Sequence, residues 1–412
     1  MKRSCWWMGV GPLPRRFSHF LPATGATACL SSRAAITAPA RKARVASNPW
    51  HPASRSWAIS LGTALALVAG LAAGAQAAEP AGDLTKVFAA DCAAKAAAAE
   101  RAGAITVVGK EGWLFLAAEI RHLGAGRFWG EDAAKASRAT RPEYADPLGA
   151  IADFKKQLDA AGVELLVVPV PAKAVIYPDE VCDAIVVAKD SLPPRLDVAD
   201  RAFYELLRSS GVQVLDLVPQ FMADRFGMEG PLFCKQDSHL SGKGCVVAAR
   251  LIADRIRDRL WLKSRPPLRL SSQWRAIEIA GDLAPSGGGT TPEKRPARFV
   301  GVRAGEGNLE PLADDRSSPI VLLGDSSNLV YHAGGDLYAV GAGLPDQLAL
   351  ELGLALDVVA VRGSGSTAAR MNLIRRIQAD PNYLKSKRLV IWCFAAREFT
   401  EGDGWRPLPL AK

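Results

Sequence analysis

An α/β fold, a parallel sheet flanked by helices, is predicted by three features of the sequence. Aliphatic runs rich in β-branched residues recur at 163–170, 212–217, 319–323, 357–361 and 389–394. Runs of that length bounded by turn formers suit buried strands. Helix-period segments lie between them, and strands alternating with helices argue for a parallel sheet. The third feature is the abrupt stop of Pro319-Ile320-Val321-Leu322-Leu323 at Gly324-Asp325-Ser326. A tight turn there puts its residues at the carboxyl edge of the sheet, where open α/β sheets bind ligands.

Each element has its own signal. Residues 83–104 are Ala-rich and polar enough for a surface helix. Gly109-Lys110-Glu111-Gly112 reads as a turn leading into a strand at Trp113-Leu114-Phe115-Leu116. Residues 119–145, with Trp129 and many charges, are expected to form an exposed loop and helix. Leu148, Ile151, Phe154 and Leu158 follow helical spacing, and Gly162 supplies a stop. The strand at 163–170 runs into Pro169, Pro171 and Lys173, hence a loop at its end. A helix over 196–209 turns Ala202, Leu206 and Leu207 inward.

Ser241 is placed to cap a helix over 241–260 with Val247, Leu251, Ile252 and Ile256 on its apolar face. Residues 262–318 then change character, with Pro, Gly, Ser and Arg dominant. Alternation in Leu268-Arg269-Leu270 and Trp274-Arg275-Ala276-Ile277-Glu278-Ile279 predicts a small β-rich insertion. Within it, Ser286-Gly287-Gly288-Gly289-Thr290-Thr291 is expected to be a flexible or substrate-facing loop. Helices near 345–353 and 366–378 separate the last strands.

The formal charge of +9 over 412 residues misleads. Nine of the 51 basic residues lie in residues 1–77, which hold no Asp or Glu; the rest balance the 42 acidic residues. The body is neutral, so the basic isoelectric point is no argument for nucleic-acid binding. Residues 56–78 carry no charge, follow Arg55 and contain Ala75-Gln76-Ala77, which fits an A-x-A cleavage site. Two readings follow: a leader and export signal over 1–77 with a periplasmic domain over 78–412, or an uncleaved inner-membrane anchor, since the run is also long enough to span a bilayer.

Five cysteines remain after residue 77: Cys92, Cys182, Cys234, Cys245 and Cys393. In an oxidising compartment an odd number suggests up to two disulfides and one spare thiol. Cys234–Cys245 and Cys92–Cys182 are the candidate pairs, Cys393 the buried remainder; a chain with none bridged stays open. No metal-ligand spacing occurs, and no metal or organic cofactor is signalled.

Two motifs carry the chemistry: Gly324-Asp325-Ser326 and Asp237-Ser238-His239. A serine hydroxyl needs a base to become a nucleophile, and the base needs an orienting group. Ser326, His239 and Asp237 offer those three roles. The Ser326 amide is the natural first oxyanion donor. The turn Arg362-Gly363-Ser364-Gly365 is the candidate second, because its small residues let backbone approach a ligand. His332, six residues from Ser326, is a rival base, and His122 reads equally as a solvated helix position or a site residue.

The combination resembles the SGNH-hydrolase-like domain of the bacterial alginate O-acetyltransferases. Four stretches match in order: Gly112-Trp113-Leu114-Phe115-Leu116 with Glu119-Ile120-Arg121-His122; Val168-Pro169-Val170-Pro171-Ala172-Lys173; Asp237-Ser238-His239; and Gly324-Asp325-Ser326. Ile391-Trp392 with Arg397 looks like the closing strand. Ordinary SGNH hydrolases carry Ser before the Asp/His pair, whereas this permuted order has D-x-H first. The resemblance implies Ser326 as nucleophile, His239 as base and Asp237 as orienter. Lys173 and Arg397, in the matched stretches, and Arg362, in the turn with Gly363 and Ser364, complete the candidate oxyanion and substrate contacts. Ser327 stands where an aromatic often follows the family's Gly-Asp-Ser. With the chain running only to Lys412, no separate carbohydrate-binding module is expected. Polymer grip would fall to the cleft, with Trp113, Trp129 and Trp405 as sugar-stacking candidates, although core packing is the favoured role for Trp113.

The expected activity is O-acetylation of an exported, alginate-like polysaccharide through an acetyl-serine intermediate. A carbohydrate acetylesterase with the same triad is the nearest alternative, and a non-catalytic polysaccharide-binding scaffold the more distant one. The resemblance implies as partners the exopolysaccharide, a membrane acyltransferase as acetyl donor and the secretion complex.

Overall fold

The computed structural model describes residues 81–412 except 286–290, 306, 411 and 412. The leader, the export signal or anchor, and most of the Ser/Gly-rich loop lie outside the described residues.

A long helix, α1 (Ala81–Arg101), opens the described chain. Residues Thr106–Val108 and Leu114–Leu116 then pair as a short antiparallel hairpin. Helix α2 (Ala117–Gly124) follows, then α3 (Pro147–Ala160), strand β1 (Glu164–Val170), α4 (Val198–Ser209) and strand β2 (Gln213–Val214). Next come α5 (Gly242–Ile256) and the strands β3 (Ser271–Ile279), β4 (Glu293–Ala304) and β5 (Asn308–Glu310). The chain closes with β6 (Ile320–Gly324), α6 (Leu344–Leu352), β7 (Asp357–Ala360), α7 (Thr367–Ala379) and β8 (Leu389–Ala395).

Five strands form one parallel sheet in the order β7-β6-β8-β1-β2. The fold is thus the expected α/β architecture, a parallel sheet flanked by helices. The sheet is buried on both faces, which is why its strands read as continuous apolar runs. Alternate residues feed two cores. Leu166, Val168, Leu322 and Ile391 face Phe88 of α1, Ile120 of α2, Ile252 of α5 and Leu348 of α6. Leu165, Val167, Leu323 and Trp392 face Phe154 of α3, Phe203 of α4 and Leu373 of α7. From β1 the chain reaches its neighbour β2 on one side; from β6 it reaches β7 on the other. Divergence of this kind opens a crevice at the carboxyl ends of the strands.

The insertion is β-rich as expected. β3 pairs with β4 over its full length, and β5 pairs with the end of β4. It docks on the body through Ile279, Ala297 and Val300, all buried. A Cβ on Gly242, at the start of α5, would lie 2.6 Å from the Pro296 carbonyl oxygen. Helix and insertion therefore touch backbone to backbone.

Two expectations are corrected. The stretch 119–145 is not an exposed loop and helix: Glu119, Ile120 and His122 of α2 are buried, and Phe128 is fully buried. Glu119 and His122 are taken inside by long-range partners, Arg397 and Asp200, whereas Arg127, Glu131, Lys135, Arg141 and Glu143 stay exposed. The disulfide pairs Cys234–Cys245 and Cys92–Cys182 are also absent, since all five cysteines are free, buried thiols. The Cys234 sulfur lies 3.5 Å from the Tyr331 hydroxyl, and the others pack as small hydrophobes.

Candidate active site

The strand end that carries Ser326 is built by close backbone approach. A Cβ on Gly324 would lie 1.7 Å from the Cys393 carbonyl oxygen, so only glycine lets β6 pair with β8 here. Asp325 is buried and locks the turn in two directions: one carboxylate oxygen accepts from Ser327 N at 2.9 Å, the other from Ala395 N at 2.7 Å. Asn328 ties the following 3-10 turn to the sheet by donating to the Cys393 carbonyl at 2.8 Å. Ser326 is left half-buried at the sheet's carboxyl edge. Among the described residues its N–H has no hydrogen-bond partner, as an oxyanion donor requires.

His239 reaches this serine from a loop just before α5, which Ser241 caps by accepting from Gly244 N at 3.1 Å. His239 Nε2 lies 2.8 Å from Ser326 Oγ, and Nδ1 lies 2.8 Å from Asp237 Oδ1. The same Asp237 oxygen accepts from the His239 amide at 2.8 Å. Asp237 Oδ2 accepts from the Tyr338 hydroxyl and, at 3.2 Å, from the Asp282 amide. Burial works to raise Asp237, but the His239 hydrogen bond and charge, aided by Tyr338, outweigh it and hold the carboxyl at about 2. Burial works to lower His239, but the Asp237 hydrogen bond and the charges of Asp237, Asp282 and Asp325 reverse it and raise the imidazole. This arrangement can pull a proton from a serine hydroxyl and hold the resulting imidazolium.

The structure brings Ser326, His239 and Asp237 together in one hydrogen-bonded line at the carboxyl edge of the sheet. Residues 106–396 match the family described as the SGNH hydrolase-like domain of the acetyltransferase AlgX. The chain belongs to this family. The probable alginate O-acetylase AlgJ of Pseudomonas syringae pv. tomato is 24% identical over 302 residues, covering 71% of this chain and 68% of that protein. The O-acetyltransferase domain of Pseudomonas putida AlgJ superposes with a TM-score of 0.51 at 20% identity, covering 72% of this chain and 92% of that one. Pseudomonas aeruginosa AlgX superposes with a TM-score of 0.51 at 17% identity, covering 74% of this chain and 65% of that one. At such identities the structural likenesses speak to the fold.

The other site candidates fall in different places. Arg397 lies near the triad: it pairs with Glu119 at 3.4 Å, and Glu119 in turn accepts from the Lys173 amide at 3.3 Å. Burial opposes the Arg397 charge, but Glu119, Asp325, Glu398 and Asp282 around it raise its pKa. Lys173 lies beneath the site and not in it. Its fully buried ammonium donates to the carbonyls of Leu114, Cys234, Lys235 and Asp237, at 2.6–3.2 Å. It fastens the first matched stretch to the Asp-Ser-His loop and has no donor left for a substrate.

Of the turn that holds Gly363 and Ser364, it is Gly365 that lies beside the serine's turn: a Cβ there would sit 3.2 Å from that of Asp325, whereas one on Gly363 would meet nothing within 4 Å. The amides of Gly365 and Ser366 are taken by buried Glu398, which burial pushes up to about 7. Gly363 is exposed at φ +75°, and the Ser364 hydroxyl is buried without a partner among the described residues. Arg362 is exposed and paired at 2.6 Å with Asp336.

Neither rival histidine serves the serine. His332 holds Asp346 on Nδ1 at 3.1 Å and Asp314 on Nε2 at 3.2 Å. Burial works to lower it, but the two carboxylates push it up to about 10, so it stays protonated. His122 is neither solvated nor at the site: it is buried between Asp200 and Thr400, both at 2.9 Å. Trp113 is a core residue with 1% exposure, the role favoured for it, and Trp405, with 2% exposure, is removed as a sugar platform. Trp129 is half-buried and lines a cavity of about 270 Å³ that contains no triad residue.

Sequence reasoning missed Tyr338 and Asp282. Tyr338 has φ +75° and ψ −49°, and the Ala339 amide donates across it to the Leu337 carbonyl at 3.0 Å. That is a γ-turn of the rare, strained hand, costing on the order of 1–3 kcal/mol for a non-glycine residue. The strain aims the phenol at Asp237. No local pattern announces such a turn; both residues act across more than 40 positions of chain.

Proposed function

We propose that the protein is an O-acetyltransferase that acetylates hydroxyls of an exported polysaccharide, alginate-like in kind, with Ser326 as nucleophile. The observation that carries this reading is the continuous line from Asp237 through His239 to Ser326, with both links at 2.8 Å. The chain's family and its AlgJ relative, named as a probable alginate O-acetylase, support the choice of acetyl transfer.

The Ser326 oxygen attacks the acetyl carbonyl while its proton passes to His239 Nε2. Asp237, kept anionic, holds the ring and balances the imidazolium. The Ser326 amide faces the oxyanion, with the Gly363 and Ser364 amides as candidate further donors. The donor's leaving group takes the proton from His239 and departs, leaving acetyl-Ser326. A sugar hydroxyl then gives its proton to His239 and attacks the ester. Collapse returns that proton to Ser326 and releases the acetylated sugar. Acetyl-coenzyme A is not expected outside the cytoplasm, so a membrane acyltransferase is the fitting donor, and the secretion complex the fitting neighbour, for a periplasmic enzyme.

The test is turnover of a chromogenic acetyl ester by purified protein, with and without acceptor oligosaccharides, products weighed by mass spectrometry. Wild type is expected to acetylate the sugar and Ser326→Ala to fall by at least about 10³-fold with its fold intact. Ester cleavage that never yields acetylated sugar makes the protein an acetylesterase. A folded wild type that neither labels nor turns over, yet binds oligosaccharide as Ser326→Ala does, makes it a binding scaffold.

A further inference from the structure

The insertion does more than decorate the sheet. Its two long strands bracket the Asp-Ser-His loop. On the β3 side, the Gln236 carbonyl accepts from Leu283 N at 3.1 Å, and a Cβ on Gly281 would lie 2.2 Å from that same oxygen. On the β4 side, Glu293 accepts from the Gln236 amide at 2.5 Å. Between these contacts sits Asp282. One oxygen accepts from Ser238 N at 2.7 Å, the other from Ser238 Oγ at 2.6 Å. The second oxygen also lies 3.6 Å from His239 Nδ1, on the nitrogen that Asp237 already holds. The Asp282 amide closes the circle by donating to Asp237 Oδ2.

We propose that Asp282, delivered by the insertion, is a positioning residue for His239: a second carboxylate that clamps the Asp-Ser-His loop and helps stabilise the imidazolium formed during acyl transfer. This rests on the function proposed above. The other charged groups facing His239 are Asp237, Asp325 and Glu119, with Arg397 and Lys173 beyond Glu119. Asp237 carries two hydrogen bonds to His239, whereas Asp325 is fixed to two backbone amides and Glu119 to Arg397. Asp282 is 41% exposed at the side chain, so its charge acts from the open side of the ring. Charge there favours the protonated ring by an amount expected to be modest, because water screens it.

Asp282→Asn separates charge from clamp, since the amide keeps an acceptor for Ser238 N and a donor for its hydroxyl. The His239 titration would be followed by histidine-selective NMR on the full chain, and kcat/KM for the chromogenic acetyl ester from pH 5 to 9. Asp282→Asn is expected to move the His239 midpoint and the acid limb of kcat/KM down together by about one pH unit. Ser238→Ala, which loosens the clamp and keeps the charge, is expected to leave the midpoint in place and lower kcat a few-fold. Asp237→Asn is expected to retain activity that Asp237→Asn with Asp282→Asn loses by a further tenfold or more. An unmoved His239 midpoint in Asp282→Asn overturns the proposal, as does a double variant no worse than Asp237→Asn. A wild type whose His239 titrates as expected but which turns over no ester overturns the acetyl-transfer reading instead.

Discussion

Two histidines flank the Ser326 turn, both beside carboxylates, and they are suited to opposite tasks. His239 gives one nitrogen to Asp237 and keeps the other for Ser326. His332 has a carboxylate on each nitrogen, Asp346 from α6 and Asp314 from the chain just before β6. A base must be able to lose its proton, and a ring held at both ends by anions cannot do so near neutral pH. Nearness in sequence to the serine favoured His332; the carboxylates on both of its nitrogens count against it, whereas those facing His239 lie on Nδ1 and leave Nε2 to Ser326. His332 instead joins three segments around the serine's turn by charge.

The comparison breaks first at the triad. His239→Gln is expected to lower ester turnover by at least about 10³-fold and to leave the melting temperature within a few degrees of wild type. Comparable turnover in that variant would remove His239 as the base. Tyr338→Phe is the next largest effect, expected at roughly 10-fold on kcat. It leaves Asp237 Oδ2 with the Asp282 amide as its remaining described donor and costs on the order of 1–2 kcal/mol. A Tyr338→Phe enzyme with unchanged kcat would mean that the strained turn serves the fold alone.

The fold was legible because the sheet is buried on both faces. Continuous runs such as 163–170 and 389–394 can hardly be anything but central strands, and Gly324, read as a turn former, ends β6 where a Cβ would strike the Cys393 carbonyl. Ser326, His239 and Asp237 stood out because their types and order are unusual together. What stayed hidden was non-local. Lys173 reads as a substrate contact in a loop, yet it holds four carbonyls from two distant segments. Tyr338 and Asp282 have no motif, since each matters only through the oxygen of Asp237 it reaches. Glu119, Arg121 and His122 looked solvated because their partners, Arg397, Glu401 and Asp200, lie far along the chain.

The smallest effect on activity belongs to His332, and pH separates it from His239. His332→Gln is expected to cost roughly 2 kcal/mol of stability by leaving buried Asp346 short of its cation, with kcat changed only a few-fold. As a base, His239 must be neutral, so kcat/KM should climb as pH rises through its pKa, which lies above the ordinary histidine value. Stability should move the other way. His332 is raised to about 10, so its contribution is full below its ordinary value and fades as pH climbs through 10. Asp237, held at about 2, adds a contribution that is present above the usual Asp value and lost as pH falls through about 2. Melting temperatures of wild type and His332→Gln from pH 6 to 10.5 test this directly. The wild type should lose stability toward the alkaline end while His332→Gln stays flatter, the two converging near pH 10. Parallel curves would show that the His332 charge does not hold α6 and Asp314 together, and the contrast between the two histidines would then rest on His239 alone.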